Sequence, residues 1–152
     1  MDVVADLDAP HPPELVFAWV RDLGTYPRWL DIVPRADPEG PGDGDAWTVD
    51  LRARLGPFAR AKRLRMVRTE HVPPTAVAFE RAEHDSRSHS SWVLRAEVAP
   101  GAGSGSRLTM RLHYGGGLGG PVLERLLRDT INRSRPKLLD LLDTGPPTPA
   151  DP

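Results

Sequence analysis

The sequence predicts an α+β fold: a curved antiparallel sheet of about seven strands around one long C-terminal helix, with two short helices after the first strand. The middle of the chain is a series of segments alternating apolar and polar residues, each ended by proline, glycine or small polar residues. The chain closes on a long run with helical apolar spacing, Pro121 to Asp143, opened by a glycine-rich joint. Two short stretches of helical spacing interrupt the strand pattern near the N-terminus.

Met1 to Ala9 puts Val3, Ala5 and Leu7 on one face and reads as the first strand. Pro10, Pro12 and Pro13 end it, and Pro13 suits the first turn of a helix. From Glu14, the residues Leu15, Val16, Trp19, Val20 and Leu23 have helical spacing, with Gly24 as a stop. Tyr26 to Val33 reads as a second short helix. Trp19 is expected to be buried and Trp29 partly exposed near a cavity mouth. Pro34 to Asp45 is a loop with a brief edge strand near Arg35 to Pro38.

Strands are then expected over Ala46–Leu55, Arg60–His71, Ala76–Glu83, Ser91–Val98 and Arg107–Tyr114. Gly56-Pro57, Pro73-Pro74 and the Gly101–Ser106 loop separate them. Each has one apolar face, as in an antiparallel sheet wet on one side. Gly115 to Gly120 reads as a joint that lets the last helix fold back on the sheet. That helix carries Val122, Leu126, Leu127, Ile131, Leu138, Leu141 and Leu142 as its stripe, and Pro136 should kink it. Residues 1–143 make one domain, and 144–152 a disordered proline-rich tail.

Composition narrows the function. A chain of 152 residues, 39% hydrophobic and 27% charged, fits one globular domain with room for a cavity. A net charge of −1 argues against nucleic acid as a partner. With no cysteine, disulfides, thiolate metal sites and cysteine nucleophiles are excluded. No secretory signal is visible, and no apolar stretch approaches the ~20 residues that span a bilayer. A cytoplasmic protein without stable membrane insertion is expected. Lys62 and Lys137 are the only lysines; the arginine, alanine, glycine and proline bias resembles GC-rich coding.

Ala9-Pro10, then Pro13-Glu14-Leu15-Val16-Phe17-Ala18-Trp19-Val20-Arg21-Asp22-Leu23, then Tyr26-Pro27-Arg28-Trp29 resembles the N-terminal signature of the START/Bet v 1-like (SRPBCC) superfamily. Leu123-Glu124-Arg125-Leu126-Leu127 through Leu138-Leu139 resembles its closing helix. The chain is most similar to the bacterial polyketide cyclase/dehydrase-like branch, and the Tyr26-Pro27 turn is shared with a coenzyme Q-binding branch. The resemblance implies a helix-grip fold. It also implies a cavity for a hydrophobic small molecule such as a lipid, polyketide or isoprenoid. A cofactor-independent polyketide aromatase/cyclase is the alternative, and a protein-binding accessory domain a further one. Fold alone does not choose among them.

Parity nominates the site. Trp47, Met66, Phe79, Trp92, Met110 and Tyr114 share the expected inner face, where aromatics and methionine would line an apolar pocket. Ordinary core packing explains any one of them equally well. Arg68 and Arg81 share that parity, and Arg81 continues the face of Val77 and Phe79. As an inward charge it needs a partner. A ligand carboxylate or phenolate, Glu70 or water would serve, with Tyr114 as a further hydrogen-bond partner. For an enzyme, Tyr114, Arg81 or His71 would shift protons, and Glu70 is the only acid with a plausible inward position.

Other clusters have plainer readings. Gly115 to Gly120 matches neither a dinucleotide fingerprint nor a Walker loop. His84 and His89 lie in a polar loop whose geometry aligns no metal ligands, so no metal and no cofactor are expected. Arginines 52, 54, 63, 65, 95 and 111 should pair across strands with Asp50, Glu80 and Glu97, a basic binding patch being the other reading.

Overall fold

The alternating segments become seven strands in the computed structural model, which describes residues 1–40, 44–55, 58–116 and 120–148, and side chains outside 53–60. They are β1 (Asp2–Ala9), β2 (Arg35–Pro38), β3 (Ala46–Leu55), β4 (Phe58–Val72), β5 (Ala76–Arg81), β6 (Trp92–Pro100) and β7 (Ser106–Tyr114). One sheet holds them in the order β1-β7-β6-β5-β4-β3-β2, with every neighbouring pair antiparallel. The first strand therefore pairs with the last, and the short β2 forms the opposite edge. The Gly56-Pro57 turn and Gly117 and Gly119 of the joint fall outside the described residues.

Register fixes which side chains meet. Val3, Ala5 and Leu7 of β1 stand opposite Leu112, Met110 and Leu108 of β7. Trp47 stands opposite Met66, and Arg68 opposite Phe79. A register shift between Arg68 and Glu70 then reverses the parity of β4. Glu70, expected inward, lies on the outer face and binds Arg95. Burial would raise its carboxyl, but the Arg95 hydrogen bond is the larger effect and holds it below the usual range. His71 turns the other way and stacks on Phe17 at 5.8 Å.

On the outer face Arg63 pairs across strands with Asp50 at 2.7 Å, as expected, whereas Arg95 meets Glu97 of its own strand at 2.8 Å, and Arg107, not among the expected residues, meets Asp8 at 3.2 Å. Exposed pairs of this kind contribute roughly 0–1 kcal/mol each. Arg65 reaches Glu39 in the loop after β2 instead.

Helix α1 (Pro13–Val20) starts at Pro13, whose missing N–H is no loss in a first turn. The second helix differs from expectation. A 3₁₀ turn covers Leu23–Arg28, and Trp29 to Val33 is irregular. Local side chains explain the shift. The Asp22 carboxylate accepts from the Gly24 N–H at 2.8 Å, and the Thr25 hydroxyl bonds the Trp19 and Asp22 carbonyls. Such bonds favour turns over helix. Pro27 also withholds a donor. The Tyr26 hydroxyl donates to the Val20 carbonyl at 2.9 Å and ties the turn to α1.

Helix α2 (Gly120–Asp143) runs along β1 and touches α1. Gly120 has a φ of +35°, which side chains disfavour. The helix continues across Pro136, although Asn132 loses its helical donor there. Its buried residues are Leu127, Thr130, Ser134, Leu138 and Leu142, whereas Val122 is exposed. Beyond α2, the Gly145 carbonyl accepts from the buried Trp19 indole at 2.9 Å, and the Thr148 carbonyl from Arg28. Among the described residues no helix is long and apolar enough to cross a membrane.

Candidate ligand-binding cavity

The inner face of the sheet divides into two regions. Over β3 to β5, Tyr26 and Trp29 pack down onto the strands. Tyr26 lies 4.6 Å from Trp29 and 6.1 Å from Phe79, and Phe79 meets Trp47 edge-on at 5.5 Å. Trp47, Met66 and Phe79 are all buried, and the rings occupy the space. Trp29, expected near a mouth and partly exposed, is only 2% exposed. It is a wall between the two regions.

Over β1, β6 and β7 a cavity of about 70 Å³ remains. Val3, Ala5 and Leu7 line it from β1, Leu94 from β6, and Leu108, Met110 and Leu112 from β7. Trp29, Leu30 and Ile32 close one side. Helix α2 supplies Leu127, Thr130, Ile131, Ser134, Arg135 and Leu138, a stripe of helical spacing. Small residues keep the space open: Ala5 on the strand faces a helix whose central turns carry Thr130 and Ser134 where leucines would fill it. The volume exceeds the ~10–15 Å³ one water needs but is well below the ~300–1,000 Å³ of drug-sized pockets.

Of the residues nominated by parity, only Met110 lines this cavity. Trp92 and Tyr114 continue the same faces of β6 and β7, with their rings 4.6 Å apart and tilted by 42°. A Cβ at Gly116 would sit 1.9 Å from the Tyr114 hydroxyl, so the phenol folds back over this glycine and a side chain there would displace it. Arg81 is inward and buried, yet its partners are protein. Nε donates to Glu83 at 2.9 Å, one terminal nitrogen reaches the Ser90 carbonyl and hydroxyl, and the other faces His89 Nδ1 at 3.3 Å. Glu83 thus fills the role expected of a ligand acid or of Glu70.

Among the lining residues that parity did not nominate, those with polar side-chain atoms are Trp29, Thr130, Ser134 and Arg135, beside Asp6 of β1. Sequence carried one sign of them: the leucine stripe of α2 breaks at 134, where a serine stands on the inward side. Trp29 Nε1 and Arg135 Nε are both buried without a hydrogen-bond partner. The Ser134 hydroxyl donates to the Ile131 carbonyl at 2.6 Å. Asp6 is the one acid among the described residues of the lining, and its carboxylate accepts from the Thr109 hydroxyl at 2.8 Å.

A second, more polar depression of about 440 Å³ lies between the 3₁₀ turn, β2 and the residues after α2. Arg68 crosses it, 5.5 Å over Trp47, and gives its terminal nitrogens to the Arg21 carbonyl and to Asp45. His71 stands near the same arginines. Its desolvation, then the charges of Arg68 and Arg21, hold the imidazole below its ordinary value.

A seven-stranded antiparallel sheet with a long C-terminal helix over an apolar cavity defines a START-like helix-grip domain. Residues 2–144 match the profile of the polyketide cyclase/dehydrase and lipid transport family, and the chain belongs to that family. The fold is shared with a START superfamily protein from Mycobacterium smegmatis, at 13% identity over 94% of this chain and 97% of that one, with a TM-score of 0.69. A conserved protein from Geobacillus kaustophilus superposes with a TM-score of 0.72 at 13% identity, covering 95% and 96%. A protein from Thermus thermophilus is 20% identical over 95% of each chain, with a TM-score of 0.64. No curated protein matches the sequence.

Proposed function

We propose that this protein binds an apolar small molecule in the cavity between α2 and strands β1, β6 and β7. The observation that carries the reading is the open, almost wholly aliphatic lining, kept from collapse by Ala5, Thr130 and Ser134. An internal space without such a use tends to be filled, because voids forfeit packing contacts. A molecule larger than 70 Å³ would enter as α2 moves away from β1, extending toward Trp92 and Tyr114. The family's lipid and polyketide chemistry agrees with this reading. Binding is favoured over cyclase chemistry because Arg81 is committed to Glu83, His71 stacks on Phe17, and Tyr114, the remaining group that could shift a proton, packs against Trp92 outside the cavity lining.

Titration of the protein with 1-octanol by calorimetry tests the reading. Ala5→Leu, which fills the cavity, should weaken octanol binding at least about tenfold. Equal binding by the variant would place the ligand elsewhere, and no binding by the wild type would overturn the proposal.

A further inference from the structure

With the cavity as the binding site, we propose that its occupant is an apolar carboxylic acid whose head group is held by Arg135 and Trp29. Both residues line the cavity, one from α2 and one from the segment after the 3₁₀ turn. Each holds a buried N–H, Arg135 Nε and Trp29 Nε1, for which no described residue supplies an acceptor. A buried donor left without an acceptor is costly, so native structures rarely keep one. Arg68 Nε and Trp92 Nε1 are buried without an acceptor too, but only Trp29 and Arg135 belong to side chains that border the cavity, where an occupant that accepts and does not donate would satisfy them.

Charge narrows the class further. Of the other basic side chains of α2, Arg128 pairs with Glu124 at 2.9 Å, Lys137 binds Asp31 and Arg133 reaches the Thr130 hydroxyl, while Arg125 is exposed and does not line the cavity. Asp6, the only acid among the described residues of the lining, already pairs with Thr109 and Arg107. A guanidinium at an apolar cavity with no carboxylate among the described residues to meet it selects an anion over a neutral carbonyl. Carboxylate suits it, because a guanidinium and a carboxylate match in shape and a charge-assisted hydrogen bond is the stronger kind. The aliphatic lining selects a hydrocarbon body behind that head.

Calorimetry with three probes of one chain length, octanoate, 1-octanol and octylamine, separates head group from chain. Arg135→Met and Trp29→Phe each remove a donor and keep bulk. Each should weaken octanoate about tenfold more than it weakens octanol, since both probes lose the same packing and only octanoate loses the anchor. Arg128→Met, which removes a charge already paired with Glu124, should change neither. If octanol and octanoate weaken equally, or if neither variant affects octanoate, the carboxylate anchor is wrong while the cavity stands. If the wild type binds none of the three, the cavity reading itself fails. Should Arg135→Met not fold by circular dichroism, the conservative Trp29→Phe decides the matter alone.

Discussion

The same sheet is packed in two ways. Over β3 to β5 the inner face carries aromatic rings, and the Tyr26-Trp29 pair descends to cover them. Over β1, β6 and β7 the inner face carries alanine, leucine and methionine, and the covering helix brings a threonine and a serine to its centre. Both regions have the same period-two alternation. What differs is the size of the covering side chains, so one region is solid core and the other holds a cavity. Inward parity is therefore necessary for a binding site but does not make one.

The largest expected effect comes from opening the solid region. Phe79 is fully buried between Tyr26 and Trp47. Phe79→Ala should cost about 3–5 kcal/mol in urea unfolding, because rigid neighbours collapse poorly into the void. Met110→Ala only enlarges a space that already exists, and Met110 is half-buried. It should fall at or below the low end of the ~2–5 kcal/mol range for such truncations. Equal costs would erase the distinction between the regions.

Adding carbon should reverse the order. Ala96 and Ala5 both face inward, on β6 and β1. Ala96 is 0% exposed and is not among the residues that line the cavity, so Ala96→Leu should overpack and cost about 1–3 kcal/mol. Ala5→Leu places its added carbons in the cavity and should be neutral or stabilising by about 0.5–2 kcal/mol. Opposite signs in parallel denaturant titrations sharpen the comparison; the same sign breaks it.

Strands, α2 and most strand ends were legible because strict alternation and a long amphipathic stripe admit few alternatives. Three features were not. The register shift after Arg68 left no mark in the alternation, so Glu70 was placed on the wrong face. The second helix became a 3₁₀ turn because Asp22, Thr25 and Pro27 act through side-chain bonds and a missing donor, which hydrophobic spacing does not register. The cavity position depended on which elements cover which strands. Tyr26 and Trp29 lie far from Phe79 in the chain, and no periodicity shows that they fill the space above it.

The smallest effect concerns the charge in the solid region. Burial pushes the Glu83 carboxyl up, but hydrogen bonds from the Arg81 guanidinium and the Arg65 backbone N–H more than offset it, so Glu83 is held below its ordinary 4.5. A carboxyl with a lowered folded value binds protons less readily than in the unfolded chain. Its contribution is therefore complete above about pH 4.5 and is lost as pH falls through the folded value. Glu83→Gln removes that titration. Wild-type stability should drop between pH 6 and pH 3 more steeply than that of Glu83→Gln, with the curves converging at the acid end, as urea midpoints would show. The converse experiment uses octanol. Because Arg81 and Glu83 satisfy each other away from the cavity, Glu83→Gln should leave octanol affinity unchanged at pH 7. A change in affinity would mean that the two regions are coupled and that Arg81 acts on the ligand after all.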